Sequence, residues 1–159
     1  MKVLIASDTH GRHSGIEEAI FSEQPLDLLI HLGDADGYED YYEEIAGCPV
    51  VAVAGNNDFF GSLPDREIIE LCGERIFLTH GHRQHVHFGY ERLAAAAQAA
   101  GCSVAMFGHI HEPVLETFAG ITLVNPGSLT FPRQAGRKPS YIVMTDDDGT
   151  MEFEIRYLD

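Results

Sequence analysis

The sequence predicts an α/β fold, and three features carry the prediction. Short apolar runs alternate with helical patterns through the first third, most of these runs end in loops rich in Asp, His, Asn and Gly, and paired runs with tight turns fill much of the remainder. Val3–Ala6 reads as a buried strand opening into Ser7-Asp8-Thr9-His10-Gly11. Ser14-Gly15-Ile16-Glu17 has capping-box spacing and predicts a helix through about Glu23, ahead of Pro25. Leu28–Leu32 is the next strand and breaks at Gly33-Asp34. Tyr38, Tyr41, Tyr42 and Ile45 recur at helical spacing with Gly47 as the stop, and Pro49–Ala54 is a third strand before Gly55-Asn56-Asn57-Asp58. This order implies parallel strands joined by crossovers, with polar loops at their carboxyl ends, where sites in open α/β sheets collect. From Arg66 the runs Glu67–Leu71 and Arg75–Leu78 flank Cys72-Gly73-Glu74 as in a hairpin that ends at Thr79-His80-Gly81-His82. An alanine-rich helix over about Tyr90–Ala100 stops at Gly101, and the strand Ser103–Phe107 opens into Gly108-His109-Ile110-His111. The rest reads as antiparallel strands turning at Ala119-Gly120 and Asp148-Gly149.

A chain of 159 residues fits one compact domain, expected to span 1–159. Its 45% apolar content is that of a globular protein, and no apolar stretch reaches membrane-spanning length. Cys48, Cys72 and Cys102 are odd in number and widely spaced, which disfavours a disulfide framework or a zinc knuckle. With no export signal visible, the expected location is cytoplasmic. A formal charge of −15 argues against a broad nucleic-acid surface or an anionic-membrane partner. A phosphate substrate would need local positive charge, which bound cations supply.

Five strand ends carry a set of donors: Asp8 and His10, Asp34, Asn56, His80, and His109 with His111. Carboxylates and imidazoles mixed with one amide suit Mn²⁺, Ni²⁺, Zn²⁺ or Fe²⁺ rather than an all-oxygen Mg²⁺ or Ca²⁺ site. Seven donors exceed one tetrahedral ion and suffice for two divalent metal ions if a carboxylate bridges. Two cations suit phosphoester hydrolysis, because they screen the phosphoryl oxygens and generate a hydroxide near neutral pH.

Asp8-x-His10, Gly33-Asp34, Gly55-Asn56, His80 and Gly108-His109-x-His111 resemble the ordered motifs of the calcineurin-like metallophosphoesterases over nearly the whole chain. Thr79-His80-Gly81-His82 and Asn125-Pro126-Gly127-Ser128 are similar to its small prokaryotic phosphodiesterase branch, to which the retromer's vacuolar-sorting subunit is related as a scaffold. The resemblance implies a four-layer α/β/β/α sandwich with two mixed β-sheets. It puts Asp8, His10 and His111 on one metal and Asn56, His80 and His109 on the other, with Asp34 bridging. The implied activity is hydrolysis of a small phosphodiester by a hydroxide between two cations, Mn²⁺ first among them. A phosphomonoesterase with the same site and a non-catalytic scaffold are the alternatives. Many relatives have His directly after the metal-binding Asn, in contact with substrate or leaving group, whereas this chain has Asn57. Asn57 donates hydrogen bonds but is no acid at neutral pH, so His82 is the substitute candidate for that role.

Arg12, after the first ligand loop, is a candidate for a substrate oxygen. His31, inside an apolar strand, reads as a hydrogen-bonded structural histidine, while His13, His85 and His87 read as solvated. Arg133 reads with Arg137 and Lys138 as a basic surface turn, and Asp146-Asp147-Asp148 as a hairpin turn. The exposed faces of Tyr41, Phe59, Phe60 and Phe88 offer either a substrate wall or a contact for a homo-oligomer.

Overall fold

The computed structural model describes residues 1–159. In chain order the elements are β1 (Lys2–Ala6), α1 (Ser14–Glu23), β2 (Leu28–His31), α2 (Glu39–Ala46), β3 (Val50–Ala52), β4 (Arg66–Leu71) and β5 (Glu74–Thr79). There follow a 3₁₀ turn at Val86–Phe88, α3 (Glu91–Ala99), β6 (Val104–Met106), β7 (Pro113–Phe118), β8 (Ile121–Pro126), β9 (Ser140–Asp147) and β10 (Thr150–Tyr157). One sheet runs β10-β9-β1-β2-β3 and the other β4-β5-β6-β8-β7, five strands each. β1, β2 and β3 pair in parallel, and β9 returns antiparallel along β1. In the second sheet β5, β6 and β8 are parallel, with β4 and β7 antiparallel at the edges.

Strand alternation decides which residues meet. In β1, Val3 and Ile5 face the second sheet and form a shared core with Ile30, Leu32, Ile76, Leu78, Val104, Met106 and Val124. Leu4 and Ala6 point the other way, onto Ile16, Ile20 and Tyr42 of α1 and α2. Behind the second sheet, Phe77, Ala105 and Leu123 pack on Leu93 and Ala97 of α3. Both faces of each central strand are therefore covered, which is why these strands read as continuous apolar runs. The result is the four-layer α/β/β/α sandwich with two mixed sheets that the resemblance implied. No helix is long and apolar enough to cross a membrane.

Local readings differ at three points. The helix α1 begins at Ser14, but its N-cap is His13, and no side-chain cap bond forms, so the capping box is absent. Strands β3 and β6 are shorter than their apolar runs, whose last residues bend into the ligand loops. The remainder after β6 is not wholly antiparallel, because β8 lies parallel to β6 and carries Asn125-Pro126-Gly127-Ser128 to the same edge as the ligands. The turns at Ala119-Gly120 and Asp148-Gly149 are as expected, with φ of 51° and 78° in the first and 49° and 82° in the second.

Candidate metal centre

The carboxyl ends of β1, β2 and β3 meet those of β5 and β6 at one end of the two packed sheets. Around Asp8, His111 Nε2 stands 3.2 Å from Asp8 Oδ1, and His10 Nε2 stands 3.7 Å from it and 3.3 Å from His111 Nε2. Around His80, its Nε2 stands 3.3 Å from Asp34 Oδ2, 3.0 Å from Asn56 Oδ1 and 3.2 Å from His109 Nδ1. Asp34 Oδ2 also reaches to 3.7 Å from His10 Nε2, which puts this carboxylate between the two groups. All seven sequence-selected donors thus converge.

Their orientation is set from behind. His80 Nδ1 donates to the Leu32 carbonyl at 2.6 Å and His111 Nδ1 to the Phe131 carbonyl at 2.8 Å, which leaves each Nε2 lone pair turned inward. Asp8 Oδ2 accepts from Ser7 Oγ at 2.6 Å and from the His109 amide at 3.0 Å. Its other oxygen, Oδ1, is buried without a hydrogen-bond partner. An orphaned carboxylate oxygen beside inward lone pairs is costly unless a cation satisfies it. Asp8, His10 and His111 form one such group of donors and Asp8, Asp34 and His80 another, so the residues present fit divalent metal ions.

The backbone bends to achieve this. Asp8, His10, Asp34, His109 and His111 all have positive φ, between 49° and 72°, an unfavourable region for residues with side chains. The motif glycines stand where a side chain cannot fit: a Cβ on Gly55 would overlap the Asp34 carboxylate, and one on Gly108 would lie 2.7 Å from Asp8 Oδ2. The calcineurin-like phosphoesterase superfamily domain matches residues 1–149. The chain belongs to this superfamily.

Bacillus subtilis "Probable metallophosphoesterase YsnB" is 33% identical, covering 96% of this chain and 90% of YsnB. Escherichia coli K12 "Phosphodiesterase YfcE" is 33% identical, covering 93% and 89%. A crystal structure of a conserved protein from Streptococcus pneumoniae, described as a predicted phosphoesterase, superposes with a TM-score of 0.83 at 28% identity, covering 98% of this chain and 88% of that one. Entamoeba histolytica Vps29 shares the fold with a TM-score of 0.78 at 22% identity and full coverage of both chains.

Within this superfamily site, the electrostatics divide. Burial works against the Asp8 carboxylate, yet the adjoining imidazoles of His10 and His111 and the charge of His80 hold it far below its usual range. Burial also pushes the His80 imidazole down, but Asp34 and Asp8 outweigh it and raise it. His10 is raised first by Asp8, against burial. His109 goes the other way, pushed down to about 4 by burial and then by the charges of His80 and His87.

Other candidates settle differently. Asn57 donates its backbone amide to Asp34 Oδ1 at 2.9 Å and its side-chain amide to Asp34 Oδ2 at 3.0 Å. It therefore steadies that carboxylate, and only its second amide hydrogen is left for substrate. His82 lies half-buried, its ring 5.4 Å from His80 and 6.0 Å from His109, with Nδ1 enclosed and unpartnered. Arg12 is exposed and stacks over Phe131 at 5.2 Å, while the Phe131 ring also meets His10 at 5.6 Å. His31 is the structural histidine expected, bonded to Thr9 Oγ1 at 3.0 Å and stacked on Tyr42. His87 is exposed but not free of the site, because its ring packs 4.7 Å from His109.

Sequence reasoning missed the braces. Asp58 accepts the amides of Asp34 at 2.8 Å, Gly55 at 2.8 Å and Asp36 at 3.0 Å, which ties the second and third ligand loops together. Ser128 Oγ donates to the Asp8 carbonyl at 2.8 Å and accepts the amides of Thr130 and Phe131. Asn125 donates to the Gly108 carbonyl at 3.0 Å. The signal for Asp58 was its place three residues after Gly55, the spacing at which an Asp side chain turns back onto its own loop.

Proposed function

We propose that this chain is a phosphodiesterase that works with two divalent cations, one held by Asp8, His10 and His111, the other by Asn56, His80 and His109, with Asp34 shared. The observation that carries the reading is the buried, unpartnered Asp8 Oδ1 facing imidazole nitrogens already locked in the ligand tautomer. Such a pair of cations, when bound, neutralises phosphoryl oxygens and acidifies the attacking water. Mn²⁺ is the first choice for this mixed oxygen and nitrogen set, and Ni²⁺, Zn²⁺ or Fe²⁺ suit the same donors.

The chain's own residues do the positioning. Asn57 and Asp58 fix the Asp34 loop, and the carbonyls of Leu32 and Phe131 fix two imidazoles. Arg12, over the Phe131 ring that also meets His10, offers a planar donor fork to a substrate oxygen. The diester preference is supported by YfcE, a relative whose name is phosphodiesterase. It is further supported by Asn57, since a site without His there suits esters with good leaving groups. The reading takes residues 1–159 as one domain acting in the cytoplasm on small esters. Phe59 and Phe60, 77% and 102% exposed, are the surface for any second copy.

The test is hydrolysis of aryl phosphate mono- and diesters by protein stripped of metal and reloaded separately with Mn²⁺, Ni²⁺, Zn²⁺ or Fe²⁺. Diester turnover that depends on metal and is lost in Asp34→Ala is expected. A large monoester preference would reassign the substrate class, and full activity in Asp34→Ala would reject the dinuclear site.

A further inference from the structure

Asn57 spends its backbone amide and one side-chain N–H on Asp34, so a leaving oxygen that gains much charge is served best by a donor from another element. His82 is half-buried with its Nδ1 enclosed, and its ring lies 6.0 Å from that of His109, farther than the ring of His87. His87 stands at the mouth instead: the 3₁₀ turn Val86–Phe88 presents it to solvent, and its ring meets that of His109 edge-on at 4.7 Å. Beside it lies an open depression lined by Val86, His87, Tyr90, Ile110, Glu112 and Arg133. Arg133 is anchored there by its backbone amide, which bonds the carbonyl of His111 at 2.9 Å. Glu112 and Arg133 form no ion pair with each other or with other side chains, so the rim offers one free acceptor and one free fork above a floor with apolar character.

Resting on the phosphodiesterase reading, we propose that this depression receives the alcohol group of the diester and that His87 hydrogen-bonds the leaving oxygen from its imidazole N–H. A neutral ring already carries such a donor, so no change of protonation is required. As the water oxygen bonds to phosphorus, the P–O bond to the alcohol breaks, its electron pair stays on the leaving oxygen, and the water's proton passes to solvent. The donor matters most when that oxygen bears most charge, which is the case for weakly acidic alcohols. The alcohol that fits has an apolar face and hydroxyl or amide edges for Glu112 and Arg133.

The experiment uses the Mn²⁺-loaded protein and a series of methyl aryl phosphodiesters whose phenols range from nitrophenol to unsubstituted phenol. His87→Ala is expected to lower kcat/KM about tenfold for the phenol ester, the worth of one hydrogen bond to a charging oxygen, and to leave the nitrophenol ester nearly unchanged. His87→Gln, which keeps an N–H donor, is expected to recover part of the loss. Bound Mn²⁺ per chain should equal that of the unsubstituted protein in both variants. A uniform loss across the series, or none, overturns the role of His87 while leaving the phosphodiesterase reading intact. An unsubstituted protein that binds Mn²⁺ but hydrolyses no member of the series overturns both.

Discussion

The cost of assembling the centre is concentrated in single residues, and Asp58 is the one whose contribution is most separable from ligation. Its carboxylate accepts three backbone amides from two loops and includes none of the seven donors. Asp58→Ala should therefore leave every ligand chemically intact and loosen their placement. A fall in metal affinity of about 10- to 100-fold is expected, the usual effect of losing an outer partner, with folding stability reduced by about 1–3 kcal/mol for the stranded amides. Competition with a chelator and urea unfolding measure the two separately, and a variant with unchanged affinity would remove Asp58 from the account. At this scale the donors themselves were legible, because Asp34, Asn56, His80 and His109 each sit next to a glycine and Asp8 opens an Asp-x-His pair, all at strand ends. The braces were not, because Ser128 acts on Asp8 from 120 residues away and no local pattern encodes a contact of that span. Nor did sequence show that His87 touches His109, since the packing of a 3₁₀ turn against a separate loop depends on the tertiary fold.

At the scale of elements, the clearest sequence signals were those whose physics is local. Apolar runs covered on both faces gave the central strands, and Gly47 gives α2 its left-handed stop at φ 65°. Strand ends were less legible: Phe107 and Val53 pack in the apolar cores and their amides bond the Val124 and His31 carbonyls, yet both lie outside β6 and β3, because the chain turns into the ligand loops there. The parallel pairing of β6 with β8 was hidden for a similar reason, since the intervening β7 makes an ordinary hairpin with β8 and a local reading stops there. That hairpin turns through Ala119 at φ 51°, a conformation that costs a residue with a Cβ and that Asn or Gly tolerates. Because β7 leaves the metal centre and β8 returns to it, this turn lies at the far end of the sheet. Ala119→Asn or Ala119→Gly should stabilise the fold by about 0.5–1 kcal/mol in denaturant titrations, with kcat unchanged. A loss of stability would show that the turn is not under this strain.

Across the whole molecule, one polar cluster ties the first sheet to its helix layer and the metal centre ties the two sheets together. Glu23 of α1 is 2% exposed, accepts from Tyr141 at 2.9 Å and Arg156 at 2.6 Å, and pairs with Lys2 at 2.7 Å, so strands β1, β9 and β10 meet at one carboxylate. Burial opposes its charge, but these three partners prevail and hold it below its ordinary value of 4.5. Its stabilisation is therefore complete above that value and is lost as pH falls through the lower folded one. Glu23→Gln should cost about 1–2 kcal/mol at pH 7, moderated because Lys2 and Arg156 reach solvent, and should flatten the acid limb of the stability profile. The centre joins loops of β1, β2 and β3 to loops of β5 and β6, so a cation held there opposes separation of the sheets as well as loop opening. Cation binding to the folded chain alone stabilises it by about 2.7 kcal/mol at a free concentration of 100 Kd. His10 and His80 are raised above 6.5 by the carboxylates they face, so protons compete with cations to a higher pH than ordinary histidines allow, and affinity falls as pH drops. Melting curves should accordingly show Mn²⁺ raising Tm, a chelator reversing it, the increment shrinking from pH 8 to pH 6, and no increment in Asp34→Ala; an equal increment in that variant would place the stabilising ion elsewhere on this acidic surface.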